Sequence, residues 1–240
     1  MTRLVAVVPA YNEAGAIGRV VDEIREAAPN VDVVVVDDGS TDDTAGVAAA
    51  RGAIVLRLPF NVGIGGAVQT GFRYALDEGY ELAVRLDGDG QHDAREIPKL
   101  LAPVERGEAN LVIGSRFVEE GGSYRPPFAR RIGIRVFARL VSLLGGQRVT
   151  DTTSGFVALD RLGIALFAAE YPHDYPEVEA TLVALRSGLR LAQVQVDMRL
   201  RETGASSITF VRSLYYIVKV MLALLVSSLR RYRRLEETSP

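Results

Sequence analysis

The 240-residue chain has no cysteine, only two histidines, no long uncharged apolar run and almost no net charge. Each absence excludes something. Without cysteine there is no disulfide framework, no thiolate zinc site and no cysteine nucleophile, a composition that fits a reducing compartment. The 28 basic and 30 acidic residues leave a formal charge of -2, which gives no overall reason to expect nucleic acid as a partner. The apolar carboxyl-terminal segment 208–229 carries Arg212 and Lys219, and its longest uncharged stretch runs only from Val220 to Leu229. That is well short of the roughly 18 residues of a confident transmembrane span. At the amino terminus the apolar run Leu4 to Val8 is too short for a signal peptide. Pro9, Asn12 and Glu13 interrupt it before a cleavage pattern could form. It reads as a buried first strand, and the body of the protein is expected in the cytoplasm. No internal repeat or low-complexity tract occurs.

What is present is a globular composition, 48% hydrophobic and 24% charged, with enough length to bury a sizeable core. From Leu4 to Gly114 short apolar runs alternate with longer amphipathic segments. This pattern predicts strands at 3–8, 31–36, 53–58, 82–86 and 110–114, with helices at 13–28, 42–51, 64–78 and 94–106, forming a parallel sheet covered on both faces. Asp93 and Glu96 have capping-box spacing at the start of the last helix. Beyond residue 115 the alternation loosens into a loop at 121–127, a basic amphipathic segment at 128–144, a polar turn at 150–155, a helix near 177–187 and a strand at 190–197. The unusual residues collect in the loops at strand ends, where an open α/β sheet binds its ligands.

Three of those loops carry chemistry. Asp87-Gly88-Asp89 follows a strand, with Gln91 and His92 just beyond. Two carboxylates so placed can hold a hard divalent cation and leave positions for diphosphate oxygens, or they can form a solvated turn that caps the next helix. At Asp37-Asp38-Gly39-Ser40-Thr41 a carboxylate can accept from a ribose or base edge, while Ser40 or Thr41 caps the following helix. Two adjacent aspartates are better tolerated beside polar ligand donors than in a bare turn. Gly63-Ile64-Gly65-Gly66-Ala67-Val68 fails the dinucleotide pattern because position 68 is Val, so these glycines are expected to allow close approach of a helix start to the sheet.

Val8-Pro9-Ala10-Tyr11-Asn12-Glu13, Val36-Asp37-Asp38-Gly39-Ser40-Thr41-Asp42, Asn61-Val62-Gly63, Asp87-Gly88-Asp89-Gly90-Gln91-His92 and Gly114-Ser115-Arg116 stand in the order seen in family 2 glycosyltransferases of the GT-A fold. With Asp151-Thr152-Thr153-Ser154-Gly155-Phe156 and Arg201-Glu202-Thr203-Gly204, the chain most resembles the dolichol-phosphate mannose synthase and polyprenyl-phosphate glycosyltransferase branch. The resemblance implies an α/β GT-A domain over 1–207 with a mostly parallel sheet. An amphipathic, membrane-associating helix over 208–235 and a tail over 236–240 follow. It implies metal-dependent, inverting transfer of a hexose from a nucleotide diphosphate sugar of the GDP-mannose or UDP-glucose type to a polyprenyl phosphate, by an enzyme peripheral to the cytoplasmic membrane face. Pro9, Tyr11, Glu13, Asp37, Asp38, Asp87, Gly88 and Asp89 would line the donor pocket. Asp89 and Gln91 would hold Mg²⁺ or Mn²⁺.

By the same resemblance Arg116, with arginines at 125–131, would meet the acceptor phosphate and Arg201 the donor diphosphate. This chain departs from the branch at Ser206-Ser207, where a lysine often stands. Some members of the branch continue into several transmembrane helices, so a separate membrane protein or a second copy of this chain is an expected partner. A polyprenyl phosphate attacks without losing a proton, whereas a saccharide hydroxyl needs a base. Asp174 and Glu177, in a Pro-led helix start, are the candidates for that alternative. No catalytic role is assigned to His92 or His173. A catalytically silent nucleotide-sugar binding module is the remaining alternative. The charge also divides by position. Residues 199–234 hold eight basic residues and one acidic, the remainder 20 basic and 29 acidic, which suits an acidic body with a basic tail on an anionic membrane.

Overall fold

A computed structural model describes residues 2–118, 128–173, 175–199 and 210–230. The valine-rich runs become the sheet. Strands β1 (Leu4–Ala10), β2 (Val31–Asp37), β3 (Ile54–Arg57) and β4 (Leu82–Arg85) are joined through helices α1 (Ile17–Ala27), α2 (Thr44–Ala50) and α3 (Ile64–Asp77). A short 3₁₀ turn, Ala94–Glu96, leads into α4 (Ile97–Glu105) and β5 (Leu111–Ser115). The second half adds α5 (Phe128–Gly145), β6 (Val157–Asp160), α6 (Arg161–Ala169), α7 (Pro176–Arg186), β7 (Leu191–Gln195) and α8 (Phe210–Leu229).

The seven strands lie in the order β3-β2-β1-β4-β6-β5-β7. All neighbours are parallel except β6, which runs antiparallel to both β4 and β5. The mostly parallel α/β sheet expected from the sequence is therefore present. Its β1 and β2 are buried almost throughout, as a sheet covered on both faces requires. One face packs against α1 and α4 through Ile17, Val21, Ile24, Ile97 and Leu100. The other packs against α3 and α6 through Phe72, Ala75, Ile164 and Phe167.

Three local expectations are corrected. The stretch after the polar turn at 150–155 contains an unanticipated strand and helix, β6 and α6. Asp160 separates them, its side chain accepting from Gly163 N at 2.9 Å as an N-cap. The helix α2 is not capped by Ser40 or Thr41, because both are bonded to Asn12 instead; Asp42 Oδ1 accepts from Thr44 N at 3.0 Å. In place of the capping box, Asp93 caps the turn by accepting from Arg95 N at 3.1 Å, while Glu96 N donates to the Asp93 carbonyl.

The glycines of α3 also serve differently from expectation. A Cβ on Gly65 would lie 2.4 Å from the Pro172 carbonyl oxygen, so this close approach is to the chain before α7 and not to the sheet. The approach to the sheet falls at Gly71, where a Cβ would lie 2.2 Å from Val7 Cγ1.

Helix α8 is docked on the body. Val220 and Leu224 are fully buried in a third cluster with Phe137 and Val141 of α5 and Val178 and Leu182 of α7. Ser227 Oγ donates to Glu179 at 3.0 Å and Arg186 donates to the Ser228 carbonyl at 2.9 Å. Among the described residues no helix is long and apolar enough to cross a membrane.

Candidate active site

At the carboxyl ends of β1, β2 and β4, backbone groups that have left the sheet find partners in neighbouring loops. Asn12, held at φ 56°, accepts from Thr41 N at 2.8 Å and donates its own N–H to Ser40 Oγ at 2.9 Å. Glu13 N donates to Thr44 Oγ1 at 2.8 Å. Asp38 accepts from Val62 N at 2.8 Å and from Gly63 N at 3.0 Å, which pins the loop after β3 to the end of β2. Such buried carboxylates satisfied by backbone N–H groups hold loops in place without a ligand.

The laced loops enclose a cavity of about 330 Å³ lined by Pro9, Ala10, Tyr11, Glu13, Asp38, Asn61, Gly63, Ile64, Ala67, Asp87, Gly88 and Asp89. Seven of the eight donor-pocket residues named from the sequence meet there. The eighth, Asp37, is buried behind the wall, accepting from Ser40 N at 3.1 Å and facing Arg57 at 3.6 Å.

The acidic loop is ordered by its own side chains. Asp89 accepts from Gln91 N at 3.0 Å and from the Gln91 side-chain amide. His92 Nδ1 accepts from Asp87 N at 3.0 Å, and its ring stacks on Phe156 with centroids 5.0 Å apart. Burial pushes the His92 imidazole down from its ordinary pKa, so it is neutral at pH 7. The donor set fits a hard cation at an open site. Asp89 and Gln91 offer oxygen ligands, Gln91 by turning its amide carbonyl inward. Among the described residues no group of three or more acidic, histidine or cysteine side chains could hold an ion alone. For a cation held there, the remaining positions would fall to diphosphate oxygens and water.

Beneath Asp87 lies a feature not anticipated from the sequence. Arg85, the last residue of β4, has a side chain only 1% exposed. Its Nη1 donates to Tyr171 Oη at 3.0 Å, and its Nη2 donates to Asp87 Oδ1 at 3.0 Å and to Glu177 Oε1 at 2.9 Å. Burial alone would raise the Asp87 carboxyl, but the Arg85 guanidinium holds it below the usual range. Burial pushes the Tyr171 hydroxyl up to about 12. The signal was in the sequence: an arginine inside Leu82-Ala83-Val84-Arg85-Leu86 needs buried carboxylate partners.

Arg116, expected to meet an acceptor phosphate, is paired in this structure with Asp151. Its side chain is 5% exposed, with Nε 2.8 Å and Nη2 3.0 Å from the carboxylate of Asp151, and Nη2 donates to Thr153 at 2.6 Å. Asp151 itself is 0% exposed. Arg116 thus ties the end of β5 to the 150–155 turn. Asp174, Arg125 and Arg201 lie outside the described residues, as do the side chains of Arg130 and Arg131.

A strand-end cavity lined by Asp87 and Asp89, in this sheet order, is joined by a direct sequence match. The model of the family described as Glycosyl transferase family 2 matches residues 5–163. The chain belongs to that family. Among curated proteins, an undecaprenyl-phosphate mannosyltransferase of Micrococcus luteus is 34% identical, covering 86% of this chain and 88% of the relative. A polyprenol monophosphomannose synthase of Mycolicibacterium smegmatis is 30% identical over 86% of this chain and 81% of its own length. Among solved structures, glucosyl-3-phosphoglycerate synthase of Mycobacterium tuberculosis in complex with Mn²⁺, uridine diphosphate and glucosyl-3-phosphoglycerate superimposes with a TM-score of 0.70. It is 25% identical and the match covers 95% of this chain and 80% of that one. The glycosyltransferase thus has the GT-A fold.

Proposed function

We propose that this glycosyltransferase moves a hexose from a nucleotide diphosphate sugar, of the GDP-mannose or UDP-glucose type, to a polyprenyl phosphate, with inversion at the anomeric carbon. The carrying observation is the strand-end cavity in which Asp87 and Asp89 share one opening with Tyr11, Glu13 and Asp38. The names of the mannosyltransferase relatives support a polyprenyl phosphate as acceptor. In the reaction an acceptor phosphate oxygen attacks the anomeric carbon while the bond from that carbon to the diphosphate breaks. The electron pair leaves with the nucleoside diphosphate. The attacking oxygen is already anionic, so no base is required.

Asp87 binds the donor through its ribose or sugar, and Asp89 with Gln91 holds Mg²⁺ or Mn²⁺. When bound, the cation neutralises charge building on the departing diphosphate. Pro9 and Tyr11 line the nucleotide end with Glu13 and Asp38. In this reading Arg201 approaches the donor diphosphate, and Arg116 fixes the 150–155 turn on the acceptor side. The division into a catalytic domain over 1–207 and an interfacial helix over 208–235 belongs to the same proposal.

The membrane surface is α8. Its Met221, Leu222, Leu225 and Val226 are exposed at helical spacing, opposite the buried Val220 and Leu224. An apolar face followed by the arginines of 230–234 suits an anionic interface at the cytoplasmic side.

Glu177, on the same Arg85 nitrogen as Asp87, favours one second reading, a saccharide hydroxyl as acceptor with Glu177 as the base. Glu177→Gln separates the two, being severe with a hydroxyl acceptor and mild with a phosphate. The donor half is tested by a thermal-shift panel of nucleoside diphosphates and nucleotide sugars with and without Mn²⁺. A ligand bound only by the folded state raises the melting temperature. A selective, Mn²⁺-dependent shift is expected; shifts indifferent to base, sugar and metal would count against the reading. Binding without transfer to any acceptor would favour a silent binding module.

A further inference from the structure

The buried Arg85 has no assigned role, and its surroundings are built around it. A Cβ on Gly155 would lie 2.8 Å from Nη2 and 3.1 Å from Asp87 Oδ1, so this position admits no side chain while the guanidinium is in place. A buried cation is costly unless paired. Here the pairing gathers groups from three separate segments onto one fork: Asp87 after β4, Tyr171 after α6 and Glu177 in the first turn of α7. Two carboxylates meeting at one buried nitrogen would repel each other without the charge between them.

From the other side, the Asp87 backbone N–H is fixed by His92. Oδ1 is engaged by Arg85, while Oδ2 lies 3.9 Å from His92 Nε2, beyond hydrogen-bond reach. We propose that Arg85 is a positioning residue for the transfer reaction: by holding Asp87 Oδ1 it aims the other oxygen at the donor, and by sharing Nη2 with Glu177 it fixes α7 against the donor pocket. Arg85 itself does not touch substrate. The proposal rests on Asp87 binding the donor, as inferred above.

The guanidinium geometry matters as well as the charge. A lysine ammonium is a point charge that cannot span Tyr171 and the two carboxylates as a planar fork does. The test measures, by titration calorimetry in Mn²⁺, the dissociation constants of GDP-mannose and UDP-glucose for the wild type, Arg85→Met, Arg85→Lys and Asp87→Asn, with melting temperatures alongside. For whichever donor binds the wild type, Arg85→Met is expected to weaken binding at least about tenfold, the scale of one lost charge-assisted hydrogen bond. Arg85→Lys should recover part of that loss, and each variant should retain a cooperative melt.

Donor affinity within about twofold of wild type in folded Arg85→Met would overturn the proposal. So would failure of both Arg85 variants to fold, which would make the residue a core support only. Asp87→Asn binding as well as wild type would instead remove the donor-site reading of the cavity, and the proposal with it. Absence of binding of either donor to the wild type would do the same.

Discussion

Asp151 has no solvent exposure and sits against Arg116 with two nitrogen–oxygen contacts of 3.0 Å or less. Burial would raise its carboxyl, but the Arg116 and Thr153 hydrogen bonds outweigh this and hold the pKa below the ordinary 3.8. A group whose folded pKa is depressed adds stability above its unfolded pKa and loses it as pH falls through the folded value. Asp151→Asn leaves the buried guanidinium uncompensated and should cost about 3–5 kcal/mol at neutral pH. In urea melts the gap between wild type and variant should narrow as pH drops below 3.8; a gap unchanged by pH would contradict the ion-pair account. At the loop scale, Asp38→Ala strands two backbone donors, those of Val62 and Gly63. It should lower stability by about 1–3 kcal/mol per stranded group and be seen as faster hydrogen exchange across 61–63.

Among the elements, α8 divides its residues between two jobs. Leu224 is fully buried between α5 and α7, so Leu224→Ala should destabilise by about 2–5 kcal/mol in denaturant melts. Leu222 and Leu225 are 56% and 46% exposed. The pair Leu222→Glu and Leu225→Glu should leave the melt nearly unchanged and reduce co-sedimentation with anionic vesicles. Loss of stability with unchanged vesicle binding would reverse the assignment of faces. The first five strands and their helices were legible because the valine runs and the amphipathic period are long and distinct. The unit β6–α6 was not. Its strand has four residues, and Leu162-Gly163-Ile164-Ala165-Leu166-Phe167 is apolar around most of the helix, so it shows little periodic contrast. Tertiary burial decides that segment, with Asp160 as its one local signal.

For the molecule as a whole, the residues that line the strand-end cavity were legible to the extent that they lie in short loops after readable strands. Asp37 shows the limit. Adjacency to Asp38 could not tell which of two aspartates faces the cavity and which closes the turn, because that depends on where β2 ends relative to β3. Arg116 and Arg85 show a second limit: a basic residue marks a need for an anion, and only the packing reveals that the anion is Asp151 in one case and Asp87 with Glu177 in the other. By charge the sequence divides into an acidic body and a basic, apolar α8 region, which the proposal assigns to the nucleotide sugar with its metal and to a membrane carrying the acceptor. The most direct measurement of that account is transfer of labelled hexose from GDP-mannose and UDP-glucose into vesicles carrying a polyprenyl phosphate. The account predicts label in the lipid phase only with Mg²⁺ or Mn²⁺, reduced at least about a hundredfold in folded Asp89→Asn. Undiminished transfer with chelator present, or in that variant, would contradict it.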